Sequence, residues 1–365
     1  ISVRNHFSLS APAYGDAART LHKAFKAAGE QSRLHLTRMA DPTSRISSNQ
    51  DVQDLVDNLV RDPKTRVIVM TAAMCDWMPV RIETPNGTPE DLFGSHAERL
   101  RTSDGSLTLH MTPAPKVIDR IRKGEGGRKD VFLVACKTTT GATEQEQYLR
   151  ALHLLKASSA NLVLANDTVT RLNMVVVPEE ARYHVTHDRQ EVLKGLAEMT
   201  LARSKLHFTR STVVGSEADL VSWADPRVPS NLRAVVDHCI ARGAYQPFRG
   251  RTAGHFAVNM GGGEFLSSIR SRNYNNLAQV GLVQVKAVDA DTVVARGARP
   301  SVGGQSQRIV FAEHPEFDCI VHAHVPLRAD APDRIQIQDQ RPYECGSHEC
   351  GKNTSNGLTP HQVEG

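Results

Sequence analysis

Three uninterrupted aliphatic runs, Val67-Ile-Val-Met-Thr71, Val131-Phe-Leu-Val-Ala-Cys136 and Asn161-Leu-Val-Leu-Ala165, set the strongest limit on what this chain can fold into. Runs of that length without polar alternation suit strands buried on both faces, as in a parallel sheet covered by helices. Segments with apolar residues at helical spacing separate them, and helices are expected over 16–28, 49–59, 115–123 and 144–158. Gly29 stands where the first helix should stop. A further short strand is expected over 33–37. The βαβα order predicts an α/β domain with a doubly wound parallel sheet. Ligands bind such sheets at the carboxyl ends of the strands, which directs attention to Ala72, Ala73 and Asp76, to Lys137-Thr-Thr-Thr-Gly141, and to Asn166 and Asp167.

The pattern fades over 211–230, where Asp225-Pro-Arg-Val-Pro-Ser230 carries two prolines, and a linker is expected there. A chain of 365 residues is too long for one ordinary core, so 1–210 and 231–365 are read as two domains. The second opens with an expected helix over 231–242 and continues as short strands separated by glycines. The 44 basic and 40 acidic residues form no long basic tract, which leaves nucleic-acid binding without compositional support. The apolar runs are far too short to span a bilayer. Six cysteines, in or beside apolar strands or close together, read as reduced thiols of a cytoplasmic protein. An opening Ile1 without start methionine, and an end at Gln362-Val-Glu-Gly365 without a closing element, predict further chain at both ends.

Four blocks of the first domain, Asn5-His-Phe-Ser-Leu-Ser10, Thr71-Ala-Ala-Met-Cys-Asp76, Leu107-Thr-Leu-His-Met-Thr-Pro113 and Ala165-Asn-Asp167, resemble the phosphopantothenoylcysteine synthetase (DNA/pantothenate metabolism flavoprotein) family in order and spacing. The resemblance implies a Rossmann-like fold and a nucleoside triphosphate, CTP or ATP, that activates a carboxylate. Asn5 matches an asparagine that handles the acyl-nucleotide intermediate, a task suited to a neutral amide with donors and an acceptor. Ala72, Ala73, Asp76, Asn166 and Asp167 join it as nucleotide-binding candidates. Two blocks depart from the family: its lysine-rich segment appears as Glu98-Arg-Leu-Arg-Thr102, and Leu133-Val-Ala-Cys-Lys137 replaces an aromatic, acidic block. Arginine and lysine are not equivalent phosphate ligands.

The second domain contains Phe317-Asp-Cys-Ile-Val-His-Ala-His324, a strand whose period of two puts His322 and His324 on one face. Two imidazoles so placed can converge on a divalent cation. In a chain with 16 histidines such a pair arises by chance, so the flanking blocks decide. Arg251-Thr-Ala-Gly-His-Phe-Ala257, Phe265-Leu-Ser-Ser-Ile-Arg270, Val294-Ala-Arg-Gly-Ala-Arg-Pro-Ser301 and Tyr343-Glu-Cys-Gly-Ser-His-Glu-Cys350 resemble class II aldolase/adducin domains. That resemblance implies an α/β/α domain with a mostly antiparallel sheet, incomplete here at its C-terminus. It also implies zinc or a similar cation held by three histidines, the cation polarising a carbonyl or enediolate oxygen. His322 and His324 match two of the ligands, and the third falls beyond the chain.

The family's catalytic glutamate falls on Gly303, which cannot move a proton, so Glu264, Glu313 or Tyr274 must substitute if catalysis survives. Ser268, Arg270, Ser271 and Ser301 are the phosphate-binding candidates. Cys345-x-x-His348-x-Cys350 has ligand-like spacing, but the Gly-Ser loop resemblance accounts for it without a metal. The expected function is a metal-dependent lyase acting on a small phosphorylated or carboxylated substrate, fused to a nucleotide-binding synthetase-like domain. It is expected to be a homo-oligomer with no nucleic-acid or membrane partner. The alternatives are a non-catalytic assembly protein, as adducin is, and a nucleotide-dependent carboxylate ligase in the first domain.

Overall fold

The computed structural model describes residues 13–83, 90, 91, 105–289, 292–302, 304–325 and 338–358. Two compact units divide the chain: Ile1–Val177 with Arg182–Thr200, and Pro178–Ala181 with Leu201–Gly365. The four residues 178–181 are thus an excursion of the chain into the second unit before it returns to the first.

The first unit comprises α1 (Asp16–Ala27), α2 (Asn49–Arg61), β1 (Val67–Met70), β2 (Trp77–Glu83), β3 (Glu90–Asp91), β4 (Thr108–Pro113), α3 (Asp119–Arg122), β5 (Phe132–Thr139), α4 (Glu144–Ser158), β6 (Leu162–Asp167), β7 (Asn173–Val176), β8 (Arg182–Thr186) and most of α5 (Arg189–Arg203). Its five-stranded sheet has the order β1-β5-β6-β7-β8. The three aliphatic runs form its parallel part, Val67 opposite Phe132 and Val134 opposite Leu162. Leu133, Val134, Leu162, Val163 and Leu164 are fully buried, each contributing about 1.5–3 kcal/mol by leaving water. A capping box starts α4, Thr143 accepting from the Glu146 amide while the Glu146 carboxylate accepts from the Thr143 amide.

The doubly wound α/β sheet expected from the runs is present, with three corrections. The βαβα order does not hold throughout: β7 and β8 extend the sheet as an antiparallel hairpin, and β2, β3 and β4 form a separate three-stranded antiparallel sheet. Residues 33–37 form no strand, because they pair with no neighbour among the described residues. The helix expected over 115–123 shrinks to α3, since Asp119, Arg120 and Ile121 bond to carbonyls three residues back and wind the preceding stretch more tightly.

The second unit carries β9 (Arg210–Val214), α6 (Ser230–Ala241), β10 (Pro247–Phe248), β11 (Arg251–Thr252), β12 (His255–Gly261), β13 (Glu264–Ser268), α7 (Leu277–Val280), β14 (Leu282–Ala287), β15 (Thr292–Arg296), α8 (Gly304–Glu313), β16 (Cys319–His322) and α9 (His348–Gly357). Its six-stranded sheet, in the order β16-β12-β13-β14-β15-β9, is antiparallel except where β9 runs parallel to β15. Strand alternation sends Phe256, Val258 and Leu266 to one core with Leu232 and Val236 of α6. Ala257, Phe265, Val283, Val285 and Ala295 face the other, against Phe311 of α8. The result is the expected α/β/α arrangement. Residues 211–230 do not behave as a linker: β9 belongs to the sheet, and Val221 bridges Leu282. Among the described residues no helix is long and apolar enough to cross a membrane.

Candidate functional site

Antiparallel pairing of β12 with β16 sets His255 directly opposite His322. Residues opposed in this way share a sheet face, and the two imidazoles stack with centroids 4.7 Å apart and planes 9° apart. The His324 ring stands nearly perpendicular to that of His322, centroids 4.9 Å apart. Three imidazoles therefore meet at one end of the sheet, and sequence reading singled out only two. His255 is buried and its Nδ1 meets the Gln307 amide at 2.8 Å. The Gln307 carbonyl accepts from the Ser267 hydroxyl at 2.7 Å, which fixes the amide's orientation.

Burial, then the neighbouring rings of His322 and His324, push the His255 pKa well below the ordinary histidine value. Although His322 keeps a solvent-exposed face, the protein crowded around it and the His324 ring push its pKa down to about 4, with the Glu179 charge acting the other way. Both imidazoles are thus neutral at neutral pH, the state in which a ring nitrogen can hold a metal. Among the described residues, however, no group of three or more His, Cys, Asp or Glu side chains could hold a metal ion. The donor set is two imidazoles, His322 and His324, beside a third ring whose Nδ1 is taken by Gln307.

Gly254 makes the approach of the two strands possible. Its φ of +94° lies in the region that favours glycine, and an added Cβ would meet the His322 carbonyl oxygen at 2.5 Å and the Tyr245 ring at 3.0 Å. Gly254→Ala is expected to destabilise the second unit by about 2–4 kcal/mol, combining left-handed backbone cost and overpacking. Urea unfolding of the full chain measures this, and an unchanged midpoint would refute the close approach.

The phosphate candidates divide by burial. Ser268 is fully buried and Ser301 nearly so, and the buried Tyr274 lies with them. The Tyr274 hydroxyl donates to the Ile269 carbonyl at 3.1 Å, and burial raises its pKa, with the Ser268 and Ser301 side chains acting the other way. Arg270 and Ser271 are exposed on the adjoining turn, where Ser271 adopts a left-handed φ of 60°. The Arg270 amide donates to the Arg299 carbonyl at 3.0 Å; although the residue is exposed at its surface, the protein crowded around its guanidinium, and then the Arg299 charge, lower the Arg270 pKa. Arg270 and Arg299 thus stand on the two paired segments that also carry Ser268 and Ser301, Arg299 being one the sequence did not single out.

The two carboxylate acid/base candidates are engaged elsewhere. Glu264 lies at the start of β13 and pairs with Lys286 on β14 at 3.0 Å. With Ala257 opposite Ser267, Glu264 is roughly 17 Å along the strand from the His255 level at about 3.4 Å per residue. Glu313 is engaged by Lys352, and Gly303 lies outside the described residues. A carboxylate from much earlier in the chain braces the segment before α9. Glu179 accepts from the Cys345 amide at 2.6 Å and from Nη1 of the fully buried Arg203 at 3.1 Å. Arg203 also donates from Nε to the Arg341 carbonyl at 2.8 Å and from Nη2 to the Gln340 carbonyl at 3.2 Å. Beyond that brace, α9 borders an open cleft of about 500 Å³ lined by His207, Tyr343, His348, Glu349 and Lys352, among others.

In the first unit, the parallel strands bring their carboxyl ends to one edge. Ala72, Ala73 and Asp76 follow β1, and Asn166 and Asp167 end β6; Asn5 lies outside the described residues. Asn49, at the start of α2, pins the loop after β1 by donating to the Cys75 carbonyl at 2.9 Å and accepting from its amide at 3.3 Å. Asp76 is ion-paired with Lys116, whose hydrogen bond and charge, with the charge of Lys137, lower its pKa. Asp167 is buried and its oxygens are committed: Oδ1 accepts from the Gly141, Val169 and Thr170 amides, and Oδ2 from the Ala142 amide and the Thr139 hydroxyl, all at 2.8–3.0 Å. It shapes the two loops at the strand ends and has no lone pair aimed at a ligand. Asn166 accepts weakly from Thr138 at 3.4 Å.

No protein-family profile matches the chain. Part of it is similar in sequence to the coenzyme A biosynthesis bifunctional protein CoaBC of Thermococcus kodakarensis, 26% identical over 121 residues. That alignment covers 33% of this chain and 26% of the relative, so the chain spans about a quarter of the relative's length. Among solved structures, the DNA/pantothenate metabolism flavoprotein from Streptococcus pneumoniae matches with a TM-score of 0.41 and 18% identity, over 54% of this chain and 93% of that one. YgbL of Escherichia coli, described as a putative aldolase/epimerase/decarboxylase, matches with a TM-score of 0.21 and 18% identity, over 26% and 43%.

Sequence reading missed His255, Gln307, Glu179, Arg203, Arg299 and Lys116. For His255 a signal existed: Phe256 and Val258 alternate with Ala257, which puts His255 and Ala257 on one face of an apolar strand. For Glu179 and Arg203 there was none, because their partners lie as far as 138 and 166 residues away.

Proposed function

We propose that the second unit is a metal-dependent lyase domain of the class II aldolase type, acting on a small phosphorylated or carboxylated molecule, and that the first unit binds a nucleoside triphosphate, CTP or ATP. The observation that carries this reading is the cluster of three imidazoles at the His255–His322 pair, two of them held neutral. His322 and His324 would hold the cation, with zinc suited to neutral imidazole donors. When bound, it would supply a Lewis acid that polarises a substrate carbonyl.

The chain's own residues do the rest of the work. Gln307 fixes the His255 ring through Nδ1, so that this ring stays neutral and supports the stacked His322. Ser268 and Ser301, with the Arg270 and Arg299 guanidiniums beside them, offer hydroxyl and cationic donors to a phosphate or carboxylate. Tyr274, whose hydroxyl donates to the Ile269 carbonyl next to Ser268, would be the proton-carrying group there. In the first unit, Lys116 and Lys137 bring positive charge to the strand ends beside Asp76, where triphosphate oxygens are expected.

The test is metal analysis of the full chain after exposure to zinc or cobalt. One divalent ion per chain is expected, with His322→Ala lowering the affinity at least about 10–100-fold, the range that even outer partners of metal ligands produce. No stoichiometric ion would overturn the lyase reading and leave the non-catalytic assembly reading, which the absence of a third ligand among the described residues favours.

A further inference from the structure

We propose that His207 and Glu349 form a general-base dyad that hydrolyses small carboxylic esters in the cleft beside α9, a second catalytic site that depends on neither the metal nor the nucleotide reading. Both oxygens of one carboxylate serve a single residue. Glu349 Oε1 meets His207 Nδ1 at 2.7 Å, and Oε2 accepts from the His207 amide at 3.1 Å. The His207 carbonyl accepts from the His348 amide at 2.9 Å, and Phe208 bridges Ser347, so the segment before β9 and the start of α9 are fixed to each other. The Thr209 hydroxyl adds a contact to His348 Nε2 at 3.1 Å. The His207 side chain is nonetheless 78% exposed, and with Glu349 it lines the open cleft of about 500 Å³.

The carboxylate decides which ring nitrogen carries the proton. Burial works to raise the Glu349 pKa, but the hydrogen bonds it accepts, that of the His207 ring first among them, outweigh it and hold the value down. An ionised carboxylate only accepts, so Nδ1 of the neutral ring is the donor and Nε2 carries the lone pair. A base oriented through its other nitrogen by a carboxylate is the arrangement that proton-abstracting histidines use. Glu349, Lys352, Asn353 and Asn356 line the cleft together, and their helical spacing puts them on one face of α9. Lys352, ion-paired with Glu313, and the two carboxamides bring N–H donors to the place where negative charge develops. In the reaction, His207 Nε2 takes a proton from water as the water oxygen bonds to the ester carbonyl carbon. The tetrahedral oxyanion accepts hydrogen bonds from those donors. Its bond to the leaving oxygen then breaks, and the departing alkoxide takes the proton from Nε2. One ester and one water become one acid and one alcohol, and the dyad is restored.

The experiment measures hydrolysis of p-nitrophenyl acetate by the full chain near neutral pH, with a chelator present throughout. The chelator keeps any metal-held hydroxide at His322 and His324 out of the measurement, so this result and the metal analysis stand or fall separately. The chain has 16 histidines, each a weak catalyst of this hydrolysis, so the signal is a saturable rate lost on one substitution. His207→Gln should lower kcat/KM about 100-fold, the lower end of what a general base contributes. Glu349→Gln should lower kcat with KM unchanged: its carbonyl oxygen stays on the His207 amide and its NH₂ faces the ring, which moves the ring proton from Nδ1 to Nε2. NMR of the imidazole nitrogens in labelled protein reads that move directly, and a carboxylate that only braced the fold would not cause it. Wild-type protein alone keeps the test decisive whether or not a variant folds. A neutral His207 ring protonated on Nε2 in the wild type overturns the proposal. So does a rate that shows no saturation, or one that His207→Gln leaves unchanged.

Discussion

Arg203→Ala is expected to destabilise the second unit by about 3–5 kcal/mol, the cost of leaving one partner of a buried ion pair uncompensated. Against total stabilities of about 5–15 kcal/mol for ordinary domains, that is a loss large enough to unfold much of the population on mild heating. The size follows from how many groups depend on one side chain. The guanidinium is fully buried and satisfies the Glu179 carboxylate and the carbonyls of Gln340 and Arg341. Arg203→Lys keeps the charge but not the planar fork, and should fall between the wild type and the alanine variant. Urea unfolding measures all three. The mechanism predicts a further result: Arg203→Met combined with Glu179→Leu should be less destabilised than the sum of the single changes, because the pair's charges vanish together. Additive losses in that cycle would show that the arginine acts through packing alone.

The second large effect is expected at Asp167. Asp167→Asn replaces an acceptor-only carboxylate by an amide, so one position now points donor hydrogens at groups that themselves donate, such as the Ala142 amide and the Thr139 hydroxyl. Both loops at the strand ends lose their common anchor. The pH dependence gives a separate signature. Burial works to raise the Asp167 pKa, but the amides of Ala142, Thr170 and Val169 and the Thr139 hydroxyl outweigh it, so the folded-state value is depressed. A depressed folded value means the stabilisation is fully present above the unfolded carboxylate pKa of about 3.9 and is lost as pH falls from there through the folded value. Thermal unfolding at pH 7 should therefore separate wild type from Asp167→Asn widely, with the gap narrowing below pH about 4. Equal melting temperatures at pH 7 would refute the anchoring role.

The parallel part of the first sheet was legible because its evidence is local: an unbroken aliphatic run reports burial on both faces without reference to any other segment. The same locality explains the failures. Leu34 and Leu36 alternate correctly for a strand, but a strand exists only with a neighbour, and none of the described residues pairs with them. Residues 211–230 look like a linker because Pro226 and Pro229 punctuate them, while the pairing of Val213 with Ala295 depends on a strand far downstream. At the site, the His322–His324 pair was readable from a period of two within one strand. The stacking of His255 depended on the register between strands, and Arg203 at a helix end reads as a surface cation.

The four-residue excursion at Pro178–Ala181 bears on how this chain can be divided or inherited. A fragment beginning at Leu201 would carry Arg203 without Glu179, and one ending at Val177 would lack β8 and α5. No single cut releases two self-sufficient pieces. A recombination event that copied either half into another gene would therefore have to bring residues from both sides of the break, or replace the Arg203–Glu179 pair with apolar side chains in the same step. In a shuffled library, viable crossovers should be scarce between 178 and 203.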